Sequence, residues 1–498
     1  MKLSHIKKSA SVLALAFMAS ACDDGLTELN VNPNAPEDVS AELLFPQAIQ
    51  SSSRLVFGSG LHLNHTALWV QHFAKIQYTN EDRYFIRVST NNAFWNSFYA
   101  GSLADVGQVI EKAQANNRPN QVASGKILQQ WIFGVATDTY GDIPYTEASK
   151  GLETITGNAA AARPKYDPQP VIYRGILTEL ANASQMIQPG QGGFGAADLI
   201  YQGDMNKWRK LANSLRLRHS MRLSELVAKK PSELAAANID PKAQFQAAMS
   251  AGVFTANADN ALMRWTTSKP THSPIHSFFF DQGRFDHTIS QTIVDTLRNL
   301  SDPRLPVYAT LPPVHAGKDP SNYELYNGAQ NAANQVASFP TLSRIGDFFL
   351  ALDAPSPIMT YAEVLFLQAE AAERGWIAGN AADLYRRAIQ ANMQFYGISQ
   401  AQIDAYLAQP RVQYSGLNSI YLQKWIALYG NGPEAWIDWR RTGVPNITPG
   451  PRAVNSRRVP VRLPYPTNEQ SVNNENLQAA VTRQGGGLTF NTPVWWDL

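Results

Sequence analysis

Apolar residues in this chain return every three or four positions over long stretches, and that spacing commits most of it to amphipathic helix. Phe94, Trp95, Phe98, Tyr99, Val106, Val109, Ile110 and Ala113 mark one such stretch, and Ile127, Trp131, Ile132 and Val135 mark another. Asp167 followed by Pro168 predicts an N-cap and first turn, opening a helix through Ile172, Ile176, Leu177, Leu180 and Ala183. Trp208, Leu211, Ala212, Leu215, His219, Leu223 and Leu226 continue the pattern. A length of 498 residues would by itself suggest several domains. An array of helices escapes that expectation, because it grows by stacking as one unit. With 44% hydrophobic and 16% charged residues, the chain can fill a large core and is not globally disordered.

Residues 359–396 predict a helical hairpin broken at Gly375 to Asn380. Leu365, Ala369, Ala381, Tyr385 and Ala388 fall where a tetratricopeptide repeat places its packing residues, while Gln368, Ala372 and Met393 depart from it. Small alanines let two helices approach, and Tyr385 fills the space between hairpins. Residues 228–357 differ, since Pro, Gly, Asn and Ser interrupt them and only 288–300 reads as a sustained helix. They are expected to be a loop-rich insertion on the helical frame, which is where binding residues usually sit.

The first 21 residues predict an export signal: Lys2, Lys7 and Lys8, then a short apolar run from Ser11 to Ala21. That run is too short to span a bilayer, which takes about 20 apolar residues. Cys22, the only cysteine, follows Ala19-Ser20-Ala21 directly. The arrangement resembles the lipobox of bacterial lipoproteins, although the family prefers Leu where Ala19 stands. Ordinary cleavage leaving a free thiol is the alternative. Asp23 and Asp24 then resemble the tag that sends some lipoproteins to the outer face of the outer membrane. Residues 22–40, rich in Pro and Asn, suit a tether, which leaves 41–498 as the folded domain.

Charge and motifs exclude several functions. Lys and Arg total 42 against 40 Asp and Glu, and removing Lys2, Lys7 and Lys8 leaves 39 against 40. No basic face for nucleic acid follows from that balance. The chain has no HExxH, no GxSxG and no catalytic cysteine, and Gly485-Gly486-Gly487 lacks the Lys-Ser/Thr of a phosphate loop. His62 and His65 are three apart, and His72 stands alone. His272 and His276 have metal-ligand spacing, but Pro274 between them argues against a helix there. Neither a catalytic metal nor a cofactor is expected; a structural Ca²⁺ among the loop carboxylates stays open as an alternative, with no EF-hand pattern behind it. Asp138 and Asp142 around Tyr140-Gly141 look like paired carboxylates but read better as a helix end and a cap. The run Trp436-Ile437-Asp438-Trp439-Arg440-Arg441 reads as scaffold: Trp436 and Arg440 lie one helical turn apart, while Glu434 and Asp438 can neutralise the arginines. The stripe Arg216, Arg218, Arg222 likewise reads as paired or solvated charge.

Several stretches together resemble the SusD/RagB-like family, in its second branch of nutrient-binding outer-membrane lipoproteins. They include Asn30 to Pro36, Thr137 to Tyr145, Gly203-Asp204 with Trp208, Ala212 to Arg216, Tyr361 through Gly375, Gln423-Lys424-Trp425, Asp438 to Gly443 and Arg462 to Pro466. The resemblance implies an all-α fold of tetratricopeptide-like hairpins forming a right-handed superhelical scaffold, with long irregular loops and little or no β. It also implies a SusC-like TonB-dependent transporter as partner, over whose barrel the lipoprotein sits as a lid. Glycans are the usual cargo, with peptides in some branches.

Sugar capture calls for flat aromatic faces against C–H surfaces, with Asp, Asn and Arg reaching hydroxyls. Tyr78, Asn80, Asp82, Arg83 and Tyr84 supply that composition on a loop, with Trp95 close behind. Trp265, His272, Phe279 and Arg284 form a second candidate group, within which the run Phe278-Phe279-Phe280 cannot bury every ring on one face. Lipid-anchored capture of an oligosaccharide, without chemistry and facing the cell exterior, is the expected function. Carboxylates for glycoside cleavage need not be neighbours in sequence, so a surface glycoside hydrolase on a helical scaffold remains an alternative. A peptide-binding member of the same family is another, and a purely structural adaptor is a third.

Overall fold

The computed structural model describes residues 39–150 and 157–498, so the signal segment, Cys22 and nearly all of the tether lie outside the described residues. Helices Ala41–Phe57, Ala104–Ala115, Pro119–Tyr140, Gln169–Met186, Met205–Arg222 and Pro241–Ala251 each pack on the next. Starts are written locally. Pro119 begins its helix, and Asp204 caps Met205–Arg222 by accepting from the amides of Asn206 (3.0 Å) and Lys207 (3.2 Å). The tetratricopeptide-like hairpin forms from Tyr361–Glu373 and Ala381–Phe395. Asn380 caps its second helix, while Tyr385 is buried and donates to the carbonyl of Val412 at 2.7 Å. Helix Tyr361–Glu373 also meets Met205–Arg222, and Gly432–Thr442 returns to Pro119–Tyr140, so hairpins distant in sequence share one core. Strands are few. Three two-stranded antiparallel ribbons pair Phe73–Lys75 with His287–Ile289, Ala261–Met263 with Ser356–Met359, and Ala309–Thr310 with Arg344–Ile345. The fold is helical with irregular loops, as expected.

Four local expectations are corrected. Asp167 does not cap the helix at Gln169; its carboxylate accepts from the amides of Tyr145 (3.2 Å) and Thr146 (2.7 Å). The cap comes from Asp142, which accepts from the Gln169 amide at 2.9 Å. The start of the loop-rich stretch is helical, because Pro231 and Pro241 open helices Pro231–Ala237 and Pro241–Ala251 where they were expected to interrupt. Residues 288–300 divide into the strand His287–Ile289 and a helix over Gln291–Asn299 capped by Ser290. Pro274 likewise starts a turn, Pro274–His276, capped by Ser273.

Buried ion pairs bind the hairpins together. Arg218 grips Glu363 (2.7 Å), Arg222 pairs with Glu434 (2.9 Å), and Arg441 holds Glu370 (2.7 Å) and Asp438 (3.0 Å). Arg440 stacks on Trp436 with 4.0 Å from guanidinium carbon to ring centre. Glu434 therefore neutralises arginines of another helix and leaves Arg440 to its tryptophan. Arg216, the remaining member of its stripe, bonds Gln244 at 3.0 Å. Among the described residues, no helix is long and apolar enough to cross a membrane.

Candidate functional site

The ribbon of Phe73–Lys75 and His287–Ile289 decides where the predicted binding residues lie. Its register sets Phe73 opposite Ile289 and Lys75 opposite His287, so the loop leaving the first strand meets the segment entering the second. The Ile76 amide extends the ladder to the carbonyl of Asp286 at 2.7 Å. Lys75 is buried between Glu81 (2.8 Å) and Asp286 (3.7 Å), which ties both segments to one charge. The loop at Tyr78 and the segment at Arg284, about 200 positions apart in sequence, thus meet at one end of the ribbon.

Tyr78 and Tyr84 take left-handed backbone angles (φ 47° and 68°), folding residues 78–85 into a tight loop. Asp82 anchors that loop, accepting from Asn331 Nδ2 at 2.6 Å and from the Ala332 amide at 2.7 Å. Burial pushes its carboxyl up to about 7, against the pull of those hydrogen bonds.

The candidates divide by exposure. Tyr78 is 65% exposed, Asn80 is exposed, and the Arg284 side chain is 41% exposed. Arg83 is half-buried and donates through Nε to the carbonyl of Arg452 at 3.1 Å. Asp82, Tyr84, Trp95, Trp265, His272 and Phe279 are all buried. Their surroundings explain why. Trp95 sits among Tyr99, Tyr140 and Tyr166. Trp265 donates to Ser356 Oγ at 2.9 Å and carries the Arg54 guanidinium over its ring at 4.8 Å. His272 Nε2 meets Asp281 Oδ2 at 2.5 Å, and Phe279 packs near Phe278 and His287. Asp82, Tyr84, Trp265, His272 and Phe279 are held inside the protein, and Trp95 in addition lines a separate pocket of about 300 Å³ with Tyr99 and Glu469.

Other rings take the exposed places. Phe85, Phe280 and Phe285 are 54%, 50% and 47% exposed. Phe280 and Phe285 stand 5.7 Å apart between ring centres, and Arg284 lies 5.3 Å from Tyr78 and 5.6 Å from Phe278. The signal for Phe280 was present in three consecutive phenylalanines: in the π-helical turn Ser277–Asp281, Phe278 and Phe279 turn inward and Phe280 outward. Phe85 closes the aromatic and polar run that begins at Tyr78, whereas Phe285 carried no comparable signal.

Phe278 also forms one wall of a groove of about 810 Å³. Hydroxyl and amide side chains make up half of its lining, among them Ser51, Ser59, Asn64, Thr90 and Gln282, with Arg54 and Asp105 as its charges. Each of the π-helical turns among the described residues, Ser59–Thr66, Ser97–Leu103 and Ser277–Asp281, contributes to its walls. Such widened turns recur at functional sites, because they displace side chains from regular helical positions. Among the described residues, Asp105 is the only carboxylate lining the groove. The other acids that invited attention are spent on structure: Asp138 takes hydrogen bonds from Tyr173 and from Trp496 (2.7 Å), and Asp142 holds Gln169 and Arg483. Among the described residues, no group of three or more His, Cys, Asp or Glu could hold a metal ion.

Fold and sequence agree on the class of protein. Residues 33–466 match the SusD-like_2 family, described as starch-binding and associating with the outer membrane, and the chain belongs to that family. Among solved structures, a chitin-binding protein is similar at 31% identity and TM-score 0.78, over 92% of this chain and 99% of that one. A chitin-binding SusD homologue from Flavobacterium johnsoniae shares the fold at 22% identity and TM-score 0.77, over 92% and 99%. A SusD homologue from Bacteroides fragilis does so at 24% and 0.77, with the same coverage. No curated protein sequence matches the chain.

Proposed function

We propose that this protein captures a neutral oligosaccharide outside the cell and hands it, uncleaved, to a SusC-like TonB-dependent transporter. One observation carries the reading: an exposed patch of Tyr78, Phe280, Arg284 and Phe285 continues through Phe278 into a groove lined with hydroxyls and amides. Aromatic faces cover the C–H surfaces of sugar rings, and hydroxyls and amides answer their O–H groups. A glycoside hydrolase needs two carboxyls about 5–10 Å apart, and this groove is lined by only one. Chito-oligosaccharides are the first ligands to try, since two of the solved relatives are named for chitin binding. Acylation of Cys22 would hold the protein at the outer membrane facing the exterior, with residues 22–40 as its tether.

Calorimetric titration with chito-oligosaccharides and with malto-oligosaccharides tests the proposal. Saturable binding, with the oligosaccharide recovered intact after incubation, is expected. Release of shorter sugars would replace capture with hydrolysis, and binding confined to peptides would move the cargo to another class. Purification from the native membrane is expected to bring the transporter along.

A further inference from the structure

The same ribbon has a second end, and a different groove lies there. Tyr78 and Arg284 extend beyond the Lys75–His287 pair, whereas Gln71 and Gln291 flank the Phe73–Ile289 pair at the other end. A groove of about 480 Å³ opens beside them, within the range of small-ligand sites, about 300–1,000 Å³. Its lining includes the carboxamides of Gln71, Gln291, Gln330, Asn331 and Asn446, and no carboxylate.

Two of those carboxamides are spent on the frame. Gln71 donates to the carbonyl of Thr448 at 2.8 Å and accepts from the Thr292 hydroxyl. Asn331 donates to the carbonyl of Phe73 at 2.8 Å and accepts from Ser290 Oγ at 2.6 Å. Gln291, Gln330 and Asn446 are exposed, and their side-chain carboxamides make no hydrogen bond among the described residues. Three unspent donor–acceptor pairs therefore face one groove whose other amides are fixed.

The floor is built to close tolerance. A Cβ on Gly450 would fall 1.7 Å from the Asn331 carbonyl oxygen, and one on Gly328 would fall 2.5 Å from that of Ser290. Only glycine lets the strap 328–332 lie directly between those two segments. Left-handed backbone at Gln71 (φ 55°), Ala332 (45°) and the consecutive Asn455, Ser456 and Arg457 (62°, 56° and 54°) borders the groove. Each such residue costs of order 1–3 kcal/mol and persists where the surroundings dictate it, a pattern concentrated at ligand clamps.

We propose that this groove is a second saccharide site, one that takes the end of a neutral sugar chain through carboxamide hydrogen bonds in place of aromatic stacking. A carboxamide presents a donor beside an acceptor, which matches a ring hydroxyl or an acetamido group. A cation finds no counter-charge here. An anion finds only Arg457, whose guanidinium already donates to the carbonyl of Pro451 at 3.0 Å. An extended peptide would seek a free strand edge, and beside Ile289 and Gln291 that edge is taken by Ala329 through bonds of 3.0 and 2.8 Å. The apolar faces of Pro449 and Pro451 remain for sugar C–H groups.

The test uses the full chain with the aromatic patch disabled by Tyr78→Ala and Phe285→Ala, titrated with N-acetylglucosamine and followed by saturation-transfer NMR. Binding is expected to persist in that protein. Adding Gln291→Ala and Asn446→Ala is expected to weaken it about tenfold or more, since each neutral hydrogen bond lost costs roughly two- to tenfold. All of these side chains are exposed, so thermal melts report any loss of folding separately. Failure of the aromatic-disabled protein to bind the sugar would overturn the proposal, as would binding indifferent to the carboxamide substitutions or equal binding of triglycine. Each of those results leaves the aromatic patch to be judged on the wild-type oligosaccharide titration alone.

Discussion

Residues 434–441 and 278–286 are written in the same letters, aromatics with arginines and acids, and they end in opposite places. In the first, Arg440 lies between Trp436 (4.0 Å) and Trp496 (4.6 Å) and donates to the carbonyl of Asp138 at 2.6 Å. Arg441 is wholly paired with Glu370 and Asp438, and every one of these groups is buried. In the second, Arg284 is held by Asp286 (2.6 Å) beneath Tyr78, with Phe280 and Phe285 open to solvent beside it. Burial brings the Arg440 guanidinium down to about 10, whereas the hydrogen bond that Arg284 donates to Asp286 raises its own. Composition cannot separate the two; the partners can. A motif on a long helix facing other helices finds charges to meet it and disappears into the frame. The same residues at the end of a two-stranded ribbon have no second layer above them.

Acid should strike the frame hardest. His62, His72, His219 and His287 are pushed down to about 3 by burial, and His65 to about 4. Unfolded, each takes up its proton near its ordinary 6.5, so stability falls as pH drops below 6.5. Asp82 (about 7) and Asp497 (about 6), both raised by burial, act in the other direction, because the fold keeps protons that the unfolded chain releases above about 4. Five imidazoles outweigh these carboxyls together with Asp138 and Asp142, which burial also raises, so the melting temperature is expected to fall from pH 7 to pH 5. A flat profile would mean that these histidines do not differ between the folded and unfolded chain.

Next in size is Glu370→Ala. This carboxylate holds Arg441 (2.7 Å) and Arg374 (2.9 Å), and its removal leaves buried positive charge uncompensated. Such losses cost about 3–5 kcal/mol, readable in urea denaturation. Trp265→Ala should follow at roughly 3–4 kcal/mol, a cavity and a lost hydrogen bond to Ser356. Oligosaccharide affinity measured on the folded protein should move little, which separates a bracing residue from a contact residue. A large affinity loss at unchanged stability would return Trp265 to the ligand surface.

The helical frame was legible because it repeats. Three- and four-residue spacing needs no partner to be seen, and the hairpin at Tyr361–Phe395 emerged from five positions. Proline misled where its role depends on context: Pro231, Pro241 and Pro274 open helical turns and do not break them. The site was half legible. Its two segments were recognisable by composition, but their meeting depends on the pairing of Phe73 with Ile289, which no local pattern announces. Exposure was the harder question. Tyr78 and Tyr84 look alike in sequence, yet one is 65% exposed and the other 1%, because Asp82 draws the far side of the loop inward onto Asn331.

Smaller effects test the exposed half of the comparison. Replacing both Tyr78 and Phe285 with alanine should weaken oligosaccharide binding by about fivefold to thirtyfold, at roughly 1–2 kcal/mol for two stacking faces, while thermal stability stays within about 0.5 kcal/mol. Equal loss of stability would show these rings to be core after all.

The smallest change expected is also the most discriminating. Arg284→Lys keeps the charge but removes the plane that lies under Tyr78 and the fork that grips Asp286 through Nε (3.1 Å) and Nη2 (2.6 Å). A lysine can reach Asp286 through one donor only, so Tyr78 loses its flat support and gains freedom that a ligand must then remove. A loss of affinity of about two- to fivefold is expected, since an exposed cation–π contact is worth about 0.5–1 kcal/mol. The same exchange at Arg440, between two tryptophans and away from solvent, should cost several times more and appear as instability, not weakened binding. If the two substitutions behaved alike, partners would not be what distinguishes the regions, and the patch at 278–286 would have to be reassigned to the frame.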